Sequence, residues 1–282
     1  MEDFGDQFFS QSIKTFKTIQ AISPKQQTWA NQTIPLGTLL QQVPDTQNRI
    51  NPIQGIVVDY ENESIAIPYS FLEPAYPFQT TILLLHGFNS APGNKESIIR
   101  NWLNTNNLSE TIKVIAPQLP YSPNEAIKLI GSLIQEYYGN LVVIGTSLGG
   151  FYANYIRAIN QTDAIKVHAI NPSWSPSASL KRNINQAQEN LKTGEHWLFT
   201  EAYLNYLANF EHKLKDELKQ YRGTNYSVHL GEQDELLSFT EMLEYLNENQ
   251  VPFQQYNYPT DHRFGTVEEL LENIKGEFVC LQ

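Results

Sequence analysis

Cysteine is almost absent. Cys280 is the only one in 282 residues, so no intrachain disulfide and no thiolate metal cluster can form. A reducing, cytoplasmic setting is the expectation. Positive charge is scarce as well: 19 Lys and Arg against 30 Asp and Glu leave a formal net charge of −11. No dense basic stripe offsets that balance, so a phosphate backbone is repelled and nucleic acid is not an expected partner. Long hydrophobic runs are missing too. The longest, ILLL and LVVI, fall far short of the ~20 residues of a spanning helix, so no membrane span is expected. The opening MEDFGDQFF is acidic where a secretion signal carries positive charge.

Aromatic surface is what the chain has in quantity. Fifteen Tyr, 14 Phe and 4 Trp in a chain that is 41% hydrophobic exceed what a disordered sequence carries, so the chain folds. Its length, against a typical ~100–200 residues per domain, admits one α/β domain with additions or two small domains. Residues 6–20 place Phe9, Ile13 and Phe16 at helical spacing, which predicts a short docking helix. The stretch 24–52 is rich in Gln, Asn and Pro and reads as irregular. GIVVDY (55–60) and SIAIPYS (64–70) flank the turn-prone ENE, the pattern of an antiparallel hairpin that opens or joins the sheet.

From Thr80 the pattern changes. TTILLLHG is a continuous apolar run ending in glycine, as expected of a strand buried on both faces of a parallel sheet. Further strands are predicted at 112–120, 140–147, 164–172, 226–235 and 252–258, most of them separated by helix-length segments. Alternating strands and helices predict a doubly wound sheet, in which chemistry sits at the carboxyl ends of the strands. Segment 173–225 interrupts the alternation and reads as a small helical cap. Its aromatics, Trp174 and Trp197 foremost, are candidates to line a substrate pocket or to pack the cap on the core. The division is therefore an N-terminal extension, 1–78, and an α/β domain, 79–282.

Within that domain GTSLGG (145–150) directly follows LVVI and precedes the credible helix FYANYIRAIN. Gly-x-Ser-x-Gly at a strand-to-helix turn is the nucleophile-elbow pattern: a strained turn lifts the Ser147 hydroxyl above the sheet, and small neighbours let backbone pass close. A serine needs a base. His168 and His229 fall inside strands, His196 and His212 fall in the cap, and His86 ends the first buried strand, too early in chain order. His262 remains, in PTDHRF after the last strand run, where the order Ser, acid, His places the base. The orienting carboxylate should follow an intermediate strand, and YSVHLGEQDE offers Asp234, with Glu232 and Glu235 as alternates and Asp261 as a local turn residue. Oxyanion donors are expected from the amides of Leu148, which follows the serine, and Phe88, in the loop after the HG strand. Asn89 and Ser90 either line the pocket or cap the next helix. This chemistry calls for no cofactor and no metal.

LLLHGFNSAPGNKESIIRNWL, VIAPQLPYSP, VVIGTSLGGFYANYI, INPSWSP, TGE, GEQDELLSF and DHRF, in that order over roughly 80–280, resemble the small bacterial YqiA/YcfP-type esterases of the α/β-hydrolase superfamily. The resemblance implies an α/β-hydrolase fold and hydrolysis of carboxylic esters, extending to acyl thioesters, with Ser147, Asp234 and His262 as nucleophile, acid and base. About 78 extra N-terminal residues depart from the compact members of that group. Acyltransfer and peptide hydrolysis use the same triad, and a non-catalytic interaction protein on this fold is the alternative from a different class. A small acyl substrate is the partner the pattern implies; nothing in it speaks to oligomeric state.

Overall fold

A computed structural model describes residues 80–136, 141–161 and 165–278, together with five short strands between residues 15 and 74. The chain divides into two compact units, Met1–Pro77 and Phe78–Gln282. In the first, β1 (Thr15–Thr18) pairs antiparallel with β2 (Leu39–Gln41) and β5 (Leu72–Pro74). Residues 15–18 are therefore strand where helical spacing predicted a helix. The β-branched Thr15 and Thr18 flanking Phe16 favour the extended chain, and the rest of the predicted helix lies outside the described residues. The predicted hairpin is present as β3 (Gly55–Tyr60) and β4 (Glu63–Pro68), a two-stranded sheet of its own.

The second unit is built on six parallel strands: β6 (Thr80–Leu85), β7 (Ile112–Ile115), β8 (Leu141–Thr146), β9 (Ile165–Ile170), β12 (Tyr226–Gly231) and β13 (Gln254–Tyr258). Their order across the sheet is β13-β12-β9-β8-β6-β7, and every neighbouring pair is parallel. The apolar runs are continuous because successive side chains point to opposite faces and both faces are covered. On β6, Leu83 and Leu85 enter one core while Ile82 and Leu84 enter the other; on β8, Leu141 and Val143 oppose Val142 and Ile144. The first core is closed by α2 (Pro123–Glu136), α3 (Leu148–Ile159), α5 (Glu201–Leu218) and α6 (Thr240–Glu248), the second by α1 (Asn94–Thr105) and α7 (Val267–Asn273). Each buried Leu, Ile or Val contributes about 1.5–3 kcal/mol.

The chain enters at β6, runs out to the edge at β7, and returns across β6 to β8. The direction of winding reverses between β6 and β8, and a crevice opens at the carboxyl ends of strands on either side of such a switch point. The segment read as a cap holds α4 (Pro176–Ser179), a 3-10 turn, the antiparallel hairpin of β10 (Gln186–Glu189) and β11 (His196–Phe199), and α5. Helix α5 is a body helix: Leu207, Phe210, Leu214 and Leu218 form the stripe that closes the first core.

The second face holds a polar chain, buried at His168, His229 and Tyr258, that links three strands to the C-terminal turn. His168 Nε2 lies 3.2 Å from Glu277 Oε2, His168 Nδ1 lies 3.1 Å from His229 Nε2, and His229 Nδ1 lies 3.0 Å from the Tyr258 hydroxyl. Asn273 Nδ2 donates to that hydroxyl at 3.1 Å. One assignment gives every atom a role: Asn273 donates to Tyr258, Tyr258 to His229, His229 to His168, and His168 to the Glu277 carboxylate. Burial, and then the facing His168, hold the His229 imidazole well below its usual pKa. Burial lowers His86 as well, against the opposing bond to the Gly87 carbonyl. The unfolded chain therefore binds protons on acidification that the folded chain resists. Stability is intact above about pH 6.5 and falls below it by up to about 1.4 kcal/mol per pH unit for each of the two imidazoles. Thermal melts at pH 7.5 and 5.5 should show this loss, and His229→Gln, though less stable at pH 7.5, should show less of it. An equal acid slope in the variant would refute the assignment to His229.

Candidate active site

Strand β8 ends at Thr146 and α3 begins at Leu148, so Ser147 alone makes the turn. Its φ of 57° and ψ of −117° lie in a region that non-glycine residues rarely enter. The surroundings hold it there: the Ser147 amide donates to the Ile170 carbonyl at the end of β9, and the Ser147 carbonyl accepts from the Ser173 and Phe151 amides, all at 3.0 Å. Close approach excludes side chains on both sides of the serine. A Cβ on Gly145 would fall 2.1 Å from the Gly149 carbonyl oxygen, and one on Gly149 would fall 2.3 Å from that of Leu85.

The next two groups come from the loops after β12 and β13. The Glu232 and Gln233 amides donate to the Tyr258 and Thr260 carbonyls at 2.9 and 3.0 Å, which staples the two loops together. Across this junction His262 Nδ1 lies 2.7 Å from Asp234 Oδ2, and His262 Nε2 lies 3.1 Å from Ser147 Oγ. The Asp234 side chain is 2% exposed and that of His262 15%. Asp234 Oδ1 is occupied by the amides of Leu236 and Leu237 at 2.8 and 2.9 Å, so the carboxylate has one oxygen fixed by the backbone and one left for the imidazole. With a carboxylate on Nδ1, the proton belongs on Nδ1 and the lone pair of Nε2 faces the serine hydroxyl. Of the four carboxylates weighed, Asp234 meets the ring. Glu235 accepts from the His262 backbone amide at 3.2 Å, Glu232 is exposed, and Asp261 closes a local turn onto the Arg263 amide.

The loop after β6 passes directly by the serine: a Cβ on Gly87 would sit 3.2 Å from Ser147 Cβ. His86 holds that loop. Its Nε2 accepts from the Leu119 amide and its Nδ1 donates to the Gly87 carbonyl, both at 2.9 Å. Because the peptide is planar and trans, fixing the direction of the Gly87 carbonyl points the Phe88 N–H the opposite way. The Leu148 amide heads α3, where first-turn N–H groups lack intrahelical acceptors. Phe88 and Leu148 both border a small, open cleft, lined as well by Asn89, Ser90, Leu119, Pro120, Tyr121, Tyr152 and Trp197.

Trp197 closes one side of the cleft from β11. Its Nε1 donates to Asn89 Oδ1 at 2.8 Å, and its ring stacks on Tyr121 with centroids 4.4 Å apart and planes 10° apart. Asn89, itself at a φ of 50°, reaches on to Gln188 of β10 at 3.2 Å. Asn190 locks the hairpin tip, accepting from the Lys192 and Thr193 amides and donating to the Ser90 carbonyl at 3.0 Å. Trp174 does not border this cleft. It is buried against Tyr245, its ring 5.5 Å from Lys215 Nζ, because it follows β9 directly and turns into the core before the hairpin begins. Sequence reading missed Tyr121 and Tyr152. Tyr121 stands in the loop after β7, where attention to every strand end would have found it; Tyr152 looks like any core residue of a buried helix.

A parallel sheet wound in this order, with helices on both faces, is the α/β-hydrolase fold. The chain is similar in structure to S-formylglutathione hydrolase (FrmB) from Staphylococcus aureus, with a TM-score of 0.53 at 18% identity over 73% of this chain and 86% of that one. It is similar also to Est1E from Butyrivibrio proteoclasticus with ferulic acid bound, with a TM-score of 0.52 at 14% identity over 72% and 89%. At such identities the likeness is one of fold. Residues 81–280 match the model of the family described as Uncharacterised protein family (UPF0227), and the chain belongs to that family, the YqiA/YcfP group whose motifs it carries. Among the described residues no helix is long and apolar enough to cross a membrane.

Proposed function

We propose that the protein is a serine hydrolase of small carboxylic esters, thioesters included, working through an acyl-enzyme. The observation that carries this reading is the continuous chain from Asp234 through His262 to Ser147, at 2.7 and 3.1 Å, on a serine held in a strained turn. Ser147 Oγ attacks the acyl carbonyl while His262 Nε2 takes its proton, and Asp234 stabilises the imidazolium that forms. Charge developing on the carbonyl oxygen meets the Leu148 and Phe88 amides. The tetrahedral adduct collapses, His262 returns the proton to the departing alcohol or thiol, and the acyl group stays on Ser147. A water molecule, deprotonated by His262, then attacks the acyl-enzyme; the carboxylic acid leaves and the serine regains its proton. No step needs a cofactor.

Hydrolysis of a p-nitrophenyl ester series from acetate to palmitate, followed alongside labelling by a fluorophosphonate, tests this. The expected result is turnover of at least one ester and stoichiometric labelling on Ser147. Absence of labelling under conditions that label a known serine hydrolase would overturn the reading in favour of a binding role. Labelling with transfer to an added alcohol in preference to water would make the protein an acyltransferase.

A further inference from the structure

Three functional side chains on three separate strand ends need a common reference, and a fourth residue stands where they meet. Asn171 directly follows β9, fully buried, at a φ of 39°. Its Nδ2 donates to the Asp261 and His262 carbonyls at 3.1 and 3.3 Å, and its Oδ1 accepts the Gly231 amide at 2.6 Å. Its own backbone amide donates to the His229 carbonyl of β12 at 2.9 Å. One residue earlier, the Ile170 carbonyl holds the Ser147 amide, and the Gly231 carbonyl in turn accepts from the Asp234 amide at 3.1 Å.

We propose that Asn171 is a positioning residue that sets His262, and through Gly231 the Asp234 turn, relative to Ser147. The inference rests on the reading of His262 as the base. A side-chain amide is suited to this place because it is donor and acceptor at once: two N–H groups for two inward-facing carbonyls, one oxygen for one amide. Asparagine also tolerates the left-handed backbone better than most residues. The packing leaves no slack, since a Cβ on Gly231 would meet the Thr260 carbonyl oxygen at 2.6 Å and Asn171 Nδ2 at 3.1 Å. Asn171 touches the backbone of His262 and not the reacting atoms, so it acts through the ring it places.

Asn171→Asp is the discriminating variant. It keeps size, backbone tolerance and the acceptor for Gly231, but turns an oxygen toward two carbonyls where the donor was. A displacement of the base by about 1 Å lowers turnover on the order of 100-fold. The expected result is a kcat lower by 10–100-fold with KM within about twofold of wild type, and a matching fall in the rate of fluorophosphonate labelling. In a His262→Ala background the same substitution should leave the residual labelling rate unchanged, because the group being positioned is gone. Circular dichroism and a thermal melt establish that each variant folds; Asn171→Ser replaces Asn171→Asp in both backgrounds if the latter does not. A wild-type kcat in the variant, or an equal fractional loss in the His262→Ala background, overturns the inference while leaving the hydrolase reading standing. A wild-type protein that neither turns over esters nor labels overturns both.

Discussion

Ser147→Ala should lower kcat for ester hydrolysis by at least ~10³-fold and abolish fluorophosphonate labelling, with the thermal midpoint little changed. The hydroxyl is the attacking atom of the proposed mechanism, and what remains is the slow attack of water on a bound, polarised ester. The fold should tolerate the change because alanine faces the same strained dihedrals as serine, and the backbone bonds to Ile170, Phe151 and Ser173 do not involve the side chain. The one side-chain partner lost, His262 Nε2, is 3.1 Å away in a ring open enough to solvent to find a water. Steady-state rates with the best p-nitrophenyl ester, measured with circular dichroism melts of both proteins, check it. Comparable turnover in the variant would remove Ser147 from the mechanism.

The second large effect belongs to Asp234. In Asp234→Asn the amide oxygen can keep the Leu236 and Leu237 amides, which leaves the NH2 facing His262 Nδ1 across what was a 2.7 Å bond. A donor there forces the opposite tautomer: Nδ1 must accept, the proton moves to Nε2, and Nε2 can no longer take the proton from Ser147. The expected loss is about 10⁴-fold in kcat, as for a triad aspartate changed to its amide in other serine hydrolases. Asp234→Ala, which imposes no tautomer, should lose less than Asp234→Asn once both are shown to fold. The reverse order would mean that the carboxylate works by fixing the loop and not by fixing the proton.

The parts of this molecule that were legible in the sequence are those where one physical requirement dominates. A strand buried on both faces must be apolar throughout, so β6 and β8 announce themselves, and the rule that chemistry follows strand ends singles out Ser147, Asp234 and His262, the residues brought within hydrogen-bond reach of one another. Where two requirements compete, the pattern fails. Strand β10, Gln186–Glu189, is polar and largely exposed, so no alternation marks it, and the hairpin vanished into a segment that read as helical. Trp174 and Trp197 look alike in composition. Only the turn of chain after β9 sends one into the core and the other, by way of the hairpin, to the cleft. Asn171 left no signal because its work is done with an ordinary amide toward backbone atoms, and backbone atoms are the same in every sequence.

The position of β13 carries a consequence for how the activity is acquired. Among the described residues it is the last strand in chain order and lies at the edge of the six-stranded sheet, paired with β12. A chain emerging from the ribosome completes β8, and with it the serine, long before the loop after β13 is made. Until that edge strand docks, the growing protein holds Ser147 without His262, its proposed base, beside it. On the proposed mechanism full ester cleavage therefore requires β13 in place, and a chain without it keeps only the slow reaction of a serine that lacks its base.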